Sequence, residues 1–195
     1  SYGWAGTSLE IDLSRGKIEK KQNDPELYET YLGGKGVNAK LLWDRVPPDI
    51  EPFSSENLLI FSPGVLVGTM APTANKVSIS YKSPLTNLFA TSNMGGFWAP
   101  ELKYAGYDSI VVSGKSPSPV YLWINDDSVE IRDASHLWGK DTVETQRAIQ
   151  EELKNDRVQI LCIGIAGENR SYSAAIMHQL KYAASRGGSG AVMGD

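Results

Sequence analysis

Three glycine-bearing stretches hold the groups best suited by type and spacing to grip an anion. They are YLGGKGVNAK at residues 31–40, TSNMGGFWAPELK at 91–103 and KYAASRGGSG at 181–190. Each sets Gly beside a helix start or an irregular turn. A glycine amide has no Cβ shielding it, so its N–H can come close to a phosphate. Asn93 and Arg186 add side-chain donors, and an Arg fork suits phosphate or carboxylate. A plain turn or helix cap is the other account of each loop, and it weakens as three such loops accumulate in one chain. None has a G-x-G-x-x-G after a strand or a G-K-[ST], so neither a dinucleotide fingerprint nor a P-loop is present. Lys76 begins a strand; it is either a solvated surface Lys or an anion contact at the strand mouth.

Other chemistries find less support. Cys162 is the only cysteine and sits in the apolar run VQILCIGI, where it reads as a buried small hydrophobe. A lone cysteine also rules out an internal disulfide or thiolate cluster. His136 and His178 are the only imidazoles and lie far apart in sequence, a poor basis for zinc. Glu101, Asp108 and Glu168 are candidate acids or bases, but no spacing pairs them, and no catalytic carboxylate is assigned. Phe97 and Trp98 read as packing residues. A net charge of −4 argues against a nucleic-acid surface and a polybasic membrane patch. No apolar run approaches the roughly 18 residues of a membrane span. Ser1-Tyr2-Gly3-Trp4 lacks the layout of a secretory leader, so the expected location is cytoplasmic.

The elements that must position these groups can be read along the chain. Alternation on either side of Ser14-Arg15-Gly16 predicts a hairpin, with strands over about 7–13 and 17–22. Asp24 caps a helix over about 25–32, Pro25 suits its first position, and Gly33-Gly34 form a left-handed stop. VNAKLLWDRV is a second helix, halted by Pro47-Pro48. NLLIFSPGVLVG is a buried strand and turn, and KVSISYKS is a further strand. APELKYAG is a short helix between Pro100 and Gly106. DSIVVSGKS, PVYLWIND and SVEIRDAS are three successive strands. Asp141-Thr142-Val143-Glu144 is a capping box for a helix reaching about Leu153. RVQILCIG then reads as a strand. Strands outnumber helices and most neighbours join by short turns, so the expected fold is α+β with mainly antiparallel sheet, in one domain over 1–195.

These residues carry a resemblance. YGWAG, DLSRGKIE, YLGGKG, SSENLLIF, APT, KSPLT, SNMGGF, PELKYAGYD, IRDASHLWGKDTVET, AGENR and RGGSGAVMG occur in this order along the chain, from Tyr2 to Gly194. In order and spacing they resemble the N-terminal domain of the tungsten-containing aldehyde ferredoxin oxidoreductase family.

The resemblance implies a domain that forms the base for a tungsten bis-pterin cofactor of the molybdopterin type, with magnesium bridging the pterin phosphates. It implies pterin contacts at Lys76, Asn93, Gly95, Gly96, Tyr182, Ala183, Ser185, Arg186 and Gly187. The magnesium would be held through the backbone carbonyls of Asn93 and Ala183, reasonable ligands for a hard cation. A [4Fe-4S] cluster and the substrate channel would belong to two later, mainly helical domains outside this stretch, as a single cysteine requires. The implied partners are ferredoxin or an electron-transfer subunit, the protein's own downstream domains, and a second copy in a homodimer. Three positions depart from the family's common residues: Lys76 and Tyr182 stand where Arg is frequent, and Ser185 where Gly is frequent. Lys keeps the charge but loses the fork, and Tyr brings one hydrogen bond without charge.

Three functions follow. The first is the cofactor base of an enzyme that oxidises aldehydes to carboxylates. GVNAKLLWDRVPP, MGGFWAPELKYAGYD and AASRGGSGAVMGD also resemble the tungsten subunit of benzoyl-CoA reductases, which reduces an aromatic ring. The third is a non-catalytic phosphate or nucleotide-binding module. The chain by itself is expected to be inactive, and to expose apolar surface at Trp98 or along 187–194 where further domains would pack.

Overall fold

The computed structural model describes residues 3–195; Ser1 and Tyr2, part of the N-terminal run read above, lie outside them. The alternating N-terminal run forms the expected hairpin, β1 (Thr7–Asp12) and β2 (Lys17–Gln22). Helix α1 (Pro25–Tyr31) starts at the Asp24 cap, whose carboxylate accepts the Glu26 N–H. The left-handed stop falls on Leu32 (φ 64°), one residue before the glycines. Helix α2 (Gly34–Arg45) begins three residues ahead of its expected start. Its first turn is glycine-rich for a steric reason: a Cβ on Gly36 would run into the Tyr31 carbonyl.

Strands β3 (Leu59–Pro63), β4 (Val77–Lys82) and β5 (Phe89–Met94) follow, then helix α3 (Trp98–Tyr104) and β6 (Ser109–Ser113). Next come β7 (Val120–Asn125), β8 (Ser128–Asp133) and α4 (Thr142–Leu153). The chain closes with α5 (Ile165–Glu168), β9 (Ile176–His178), β10 (Tyr182–Ala184) and α6 (Ser189–Met193).

Six strands form one sheet in the order β2-β1-β6-β3-β4-β5. Only the β1–β6 pair in it is parallel. The pairs β7–β8 and β9–β10 are separate antiparallel ribbons. The fold is therefore α+β with mainly antiparallel sheet, as expected. One face of the sheet buries Leu9, Ile11, Phe61, Val77, Ile79 and Tyr81 against α3 and the later ribbons. The other face meets α2 through Leu42, Ile60 and Val111. That second face is polar toward β4: buried Asn38 of α2 donates to the Ser78 carbonyl and Ser80 Oγ, both at 3.1 Å, and accepts from Ser62. These bonds fix α2 in register over β3 and β4, since a buried amide left unpaired costs about 1–3 kcal/mol.

RVQILCIG does not form the expected strand. It follows an irregular path with one isolated bridge, Cys162 to Met177. Its partner β9 is only three residues long, and the Ile160 carbonyl is taken by an imidazole instead of a strand amide. The expected exposed apolar surface is found only in part. Trp98 is half-buried against Phe61, ring centroids 5.9 Å apart, and in 187–194 Gly188–Ala191 are buried while Met193 is exposed. Exposed apolar side chains also include Leu88, Phe89, Phe97 and Met70.

Candidate functional site: an anion cradle at the end of β4 and β5

Antiparallel pairing sets Ser78 opposite Asn93 and Val77 opposite Met94. Lys76 precedes β4 and Gly95 follows β5 at that end of the pair. Strand β10 lies against β5, so residues 93–96 and 182–187 are neighbours. The Tyr182 ring covers the turn after β5: a Cβ on Gly95 would stand 3.6 Å from it. Gly96 is tighter and left-handed (φ 100°); a Cβ there would lie 3.0 Å from Tyr182 and 2.7 Å from His178 Nε2. Only glycine fits both the backbone and the space.

The segment after β10 is pinned by its backbone. Tyr81 Oη donates to the Arg186 carbonyl, and Ser83 Oγ donates to the Gly187 carbonyl at 2.7 Å. The Arg186 N–H reaches Ser92 Oγ at 3.4 Å. Burial pushes the Tyr81 phenol up to about 12, which keeps it a donor. Gly187 is left-handed (φ 75°), and a Cβ there would stand 3.0 Å from Tyr81 Oη and 3.1 Å from Ala90 Cβ. This anchoring leaves the Ser185 and Arg186 side chains exposed.

The first glycine stretch arrives at the same end. A Cβ on Gly34, opening α2, would stand 3.7 Å from Gly64 Cα and from Ser78 Oγ. Ser78 Oγ in turn donates to Asn93 Oδ1 at 2.8 Å. The first two glycine-bearing stretches thus meet at the start of β4 and the end of β5, while the third runs beside β5 from Tyr182, at the Gly95-Gly96 turn, to Gly187, against Tyr81, Ser83 and Ala90 toward the other end of β4. Gly95 and Gly96 meet Tyr182, the Arg186 N–H meets Ser92, and Gly187 lies against Tyr81 and Ala90, while Lys76 stands at the start of β4 and Asn93 bonds to Ser78. Asn93 and Ser92 leave β5 on opposite faces, so the Asn93 side chain joins Ser78 and α2, while the Arg186 backbone meets the core face.

The donor set suits an anion. Among the described residues, Lys76 and Arg186 are exposed and in no ion pair. Two unpaired cations beside glycine turns fit phosphate groups. No group of three His, Cys, Asp or Glu gathers as a metal site among the described residues. A cation here would therefore be held by carbonyl oxygens and by oxygens of the anion itself, a set that hard magnesium accepts. A cleft of about 830 Å³ lies elsewhere, between the sheet and the β7–β8 ribbon. Its walls mix apolar side chains such as Leu13, Phe61 and Leu122 with polar ones such as Asn57, Glu101 and Arg157.

The candidate acids have other employment or none. Asp108 is buried against Lys103 and accepts the N–H groups of Ala5 and Gly6, tethering the N-terminal run. Glu168 accepts the Gly139 N–H through both oxygens. Glu101 lies in the first turn of α3. Cys162 is buried, and burial pushes its thiol up to about 12, so it is no nucleophile. Three contributors escaped sequence reasoning: His178, Tyr81 and Ser83. The alternation Val77-Ile79-Tyr81 could have put Tyr81 on the core face; nothing flagged the other two.

Residues 8–195 match the family described as aldehyde ferredoxin oxidoreductase, N-terminal domain. The chain is 47% identical over 193 residues to the tungsten-containing aldehyde ferredoxin oxidoreductase of Pyrococcus furiosus, covering 99% of this chain and 32% of that protein. It is 36% identical to the WOR-like subunit of an aliphatic sulfonate oxidoreductase from the same organism, covering 99% of this chain and 33% of that protein. Among solved structures, it is similar to a chain of the active-site complex BamBC of benzoyl coenzyme A reductase in complex with 1,5-dienoyl-CoA. That likeness has a TM-score of 0.97 at 58% identity and covers 99% of this chain and 29% of the other. The chain spans about a third of the length of the curated relatives it matches most extensively.

Proposed function

The chain belongs to the aldehyde ferredoxin oxidoreductase N-terminal-domain family, and from that premise we propose that residues 1–195 form the tungstopterin-cradling domain of a longer tungsten oxidoreductase. The observation that carries this reading is the packing of residues 93–96 against 182–187, with exposed Arg186 on the second segment and exposed Lys76 at the start of β4. Arg186 and Lys76 hold the phosphate ends of two pterins. Backbone amides of the Gly95-Gly96 and Gly187 turns add donors, and Tyr182 and Ser185 line the wall. The carbonyls of Asn93 and Ala183 would hold a magnesium ion, a hard cation that accepts such oxygens. The bound group supplies the electron-transfer chemistry at its metal. This chain's residues bind it, orient it and close one side of it from water.

A [4Fe-4S] cluster and the substrate channel belong to downstream helical domains. Ferredoxin or a partner subunit takes up or delivers the electrons, a homodimer is one assembly open to the enzyme, and its location is the cytoplasm. The first reading of the reaction is oxidation of an aldehyde to a carboxylate with ferredoxin as acceptor. A second reading, reduction of an aromatic acyl-CoA ring, is favoured by the 58% identity to the BamBC chain against 47% to the aldehyde enzyme. Metal and pterin analysis of the full-length protein tests the cofactor, and turnover with aldehydes and aryl-CoA esters separates the two reactions. Tungsten with pterin is expected; a nucleotide-binding protein free of metal would mean the third, non-catalytic reading.

A further inference from the structure

His178 is fully buried at the last position of β9. A carbonyl can only accept, so its Nδ1–H donates to the Ile160 carbonyl at 2.9 Å. Its Nε2 is then the lone-pair nitrogen, and it accepts the Phe97 N–H at 3.2 Å. Burial holds the imidazole below its ordinary range, which keeps that lone pair available. The ring stacks on Tyr182, centroids 5.9 Å apart and 25° between planes. Gly96 lies flat against the same ring, with no room for a Cβ.

One side chain therefore touches three things: the irregular run at Ile160, the Gly96–Phe97 turn after β5, and the Tyr182 wall on β10. At the far end of the cradle, Tyr81 and Ser83 fix the two halves together. At the near end, the Phe97–His178 bond is the hydrogen bond that joins the turn to β9. An apolar side chain could fill the space but could not take the Phe97 proton.

We propose that His178 is a positioning residue which, by accepting the Phe97 N–H, sets the spacing between the Gly95-Gly96 turn and the Tyr182–Gly187 segment. It rests on the cofactor reading above: the spacing fixed is that of the two walls facing the pterin phosphates. Supporting groups of this kind change metal-site affinity roughly 10- to 100-fold when removed.

The test uses the full-length holoenzyme and two substitutions that divide the ring's two bonds. H178Q keeps an acceptor at the reach of Nε2. H178N keeps a donor at the reach of Nδ1 and leaves Phe97 without an acceptor. The readouts are tungsten and pterin per polypeptide, with melting temperature alongside. H178Q is expected to retain cofactor near the wild-type level, and H178N to lose roughly 10-fold, at similar melting temperatures. Full retention in H178N, or parallel loss in both variants, overturns the proposal. Should H178N fail to fold, F97P removes the same N–H and leaves the imidazole in place; undiminished cofactor in F97P overturns it equally. A wild-type protein that contains no tungsten overturns the cofactor reading, and this inference with it, whereas tungsten in the wild type and in every variant overturns the inference alone.

Discussion

Tyr81 shows how much of the site is held by a residue that never faces it. Its ring belongs to the core, and its hydroxyl alone reaches out to the Arg186 carbonyl. Replacing it with Phe removes one neutral hydrogen bond and leaves that carbonyl unpaired, about 1 kcal/mol. Hydrogen exchange of the segment around 185–190 is expected to quicken roughly 5-fold in Y81F, the factor that free energy corresponds to. The pH dependence has a definite sign. The folded phenol keeps its proton to about 12, above the ordinary value of 10.0, so the native state binds the proton more tightly. Its contribution is whole below about 10 and fades as the pH climbs toward 12. Subtracting the absorbance titration of Y81F from that of the wild type should isolate one late-ionising phenol; a component ionising near 10 would show that the phenol is not held as described. At this scale the sequence was partly legible. Arg186 and Gly187 announce themselves by type, because an Arg among glycines has few structural uses. His178 does not, because a lone imidazole in MHQL carries no spacing signal, and its partners at Ile160 and Phe97 are brought close only by the fold.

Among elements, legibility followed the strength of local chemistry. The capping box at Asp141 was readable and forms as expected: the carboxylate accepts from Val143 and Glu144 at 2.8 Å each, and Glu144 reaches back to the Asp141 N–H. D141A should cost about 1 kcal/mol at the first turn of α4, and D141S should recover most of it. Peptide hydrogen exchange over 142–146 measures both; equal protection in D141A and wild type would contradict the capping role. Strand β5 was not readable. FATSNM has no β-branched alternation, and it sits at the sheet edge, where pairing with β4 and cover from β10 make the strand. Strands β9 and β10 are three residues each, too short for a period to appear. Conversely RVQILCIG looked like a strand because burial alone makes a sequence apolar, whatever its backbone does. Helix α6 hides inside the terminal glycine stretch, because the left-handed Gly187 and Gly188 lead directly into Ser189.

For the molecule as a whole, the account is of one wall of a larger site. The cradle lies open at the sheet end, and Leu88, Phe89 and Phe97 are exposed. Relatives three times as long as this chain, at 32% coverage, have the material to cover such surfaces. The chain produced alone is therefore expected to show no turnover with aldehydes or aryl-CoA esters, because nothing excludes water from the metal side of the cradle. Turnover by the isolated chain above that of a no-enzyme control would contradict that picture. The central claim is that the glycine turns at 93–96 and 182–187 grasp the phosphate ends of a metal-bearing pterin. A crystal structure of the metal-loaded full-length protein tests it most directly. The account predicts pterin phosphates within hydrogen-bond distance of the Arg186 guanidinium and of backbone amides at Gly95 or Gly96. Phosphates bound elsewhere, with Arg186 turned to solvent and the two turns empty, would contradict it.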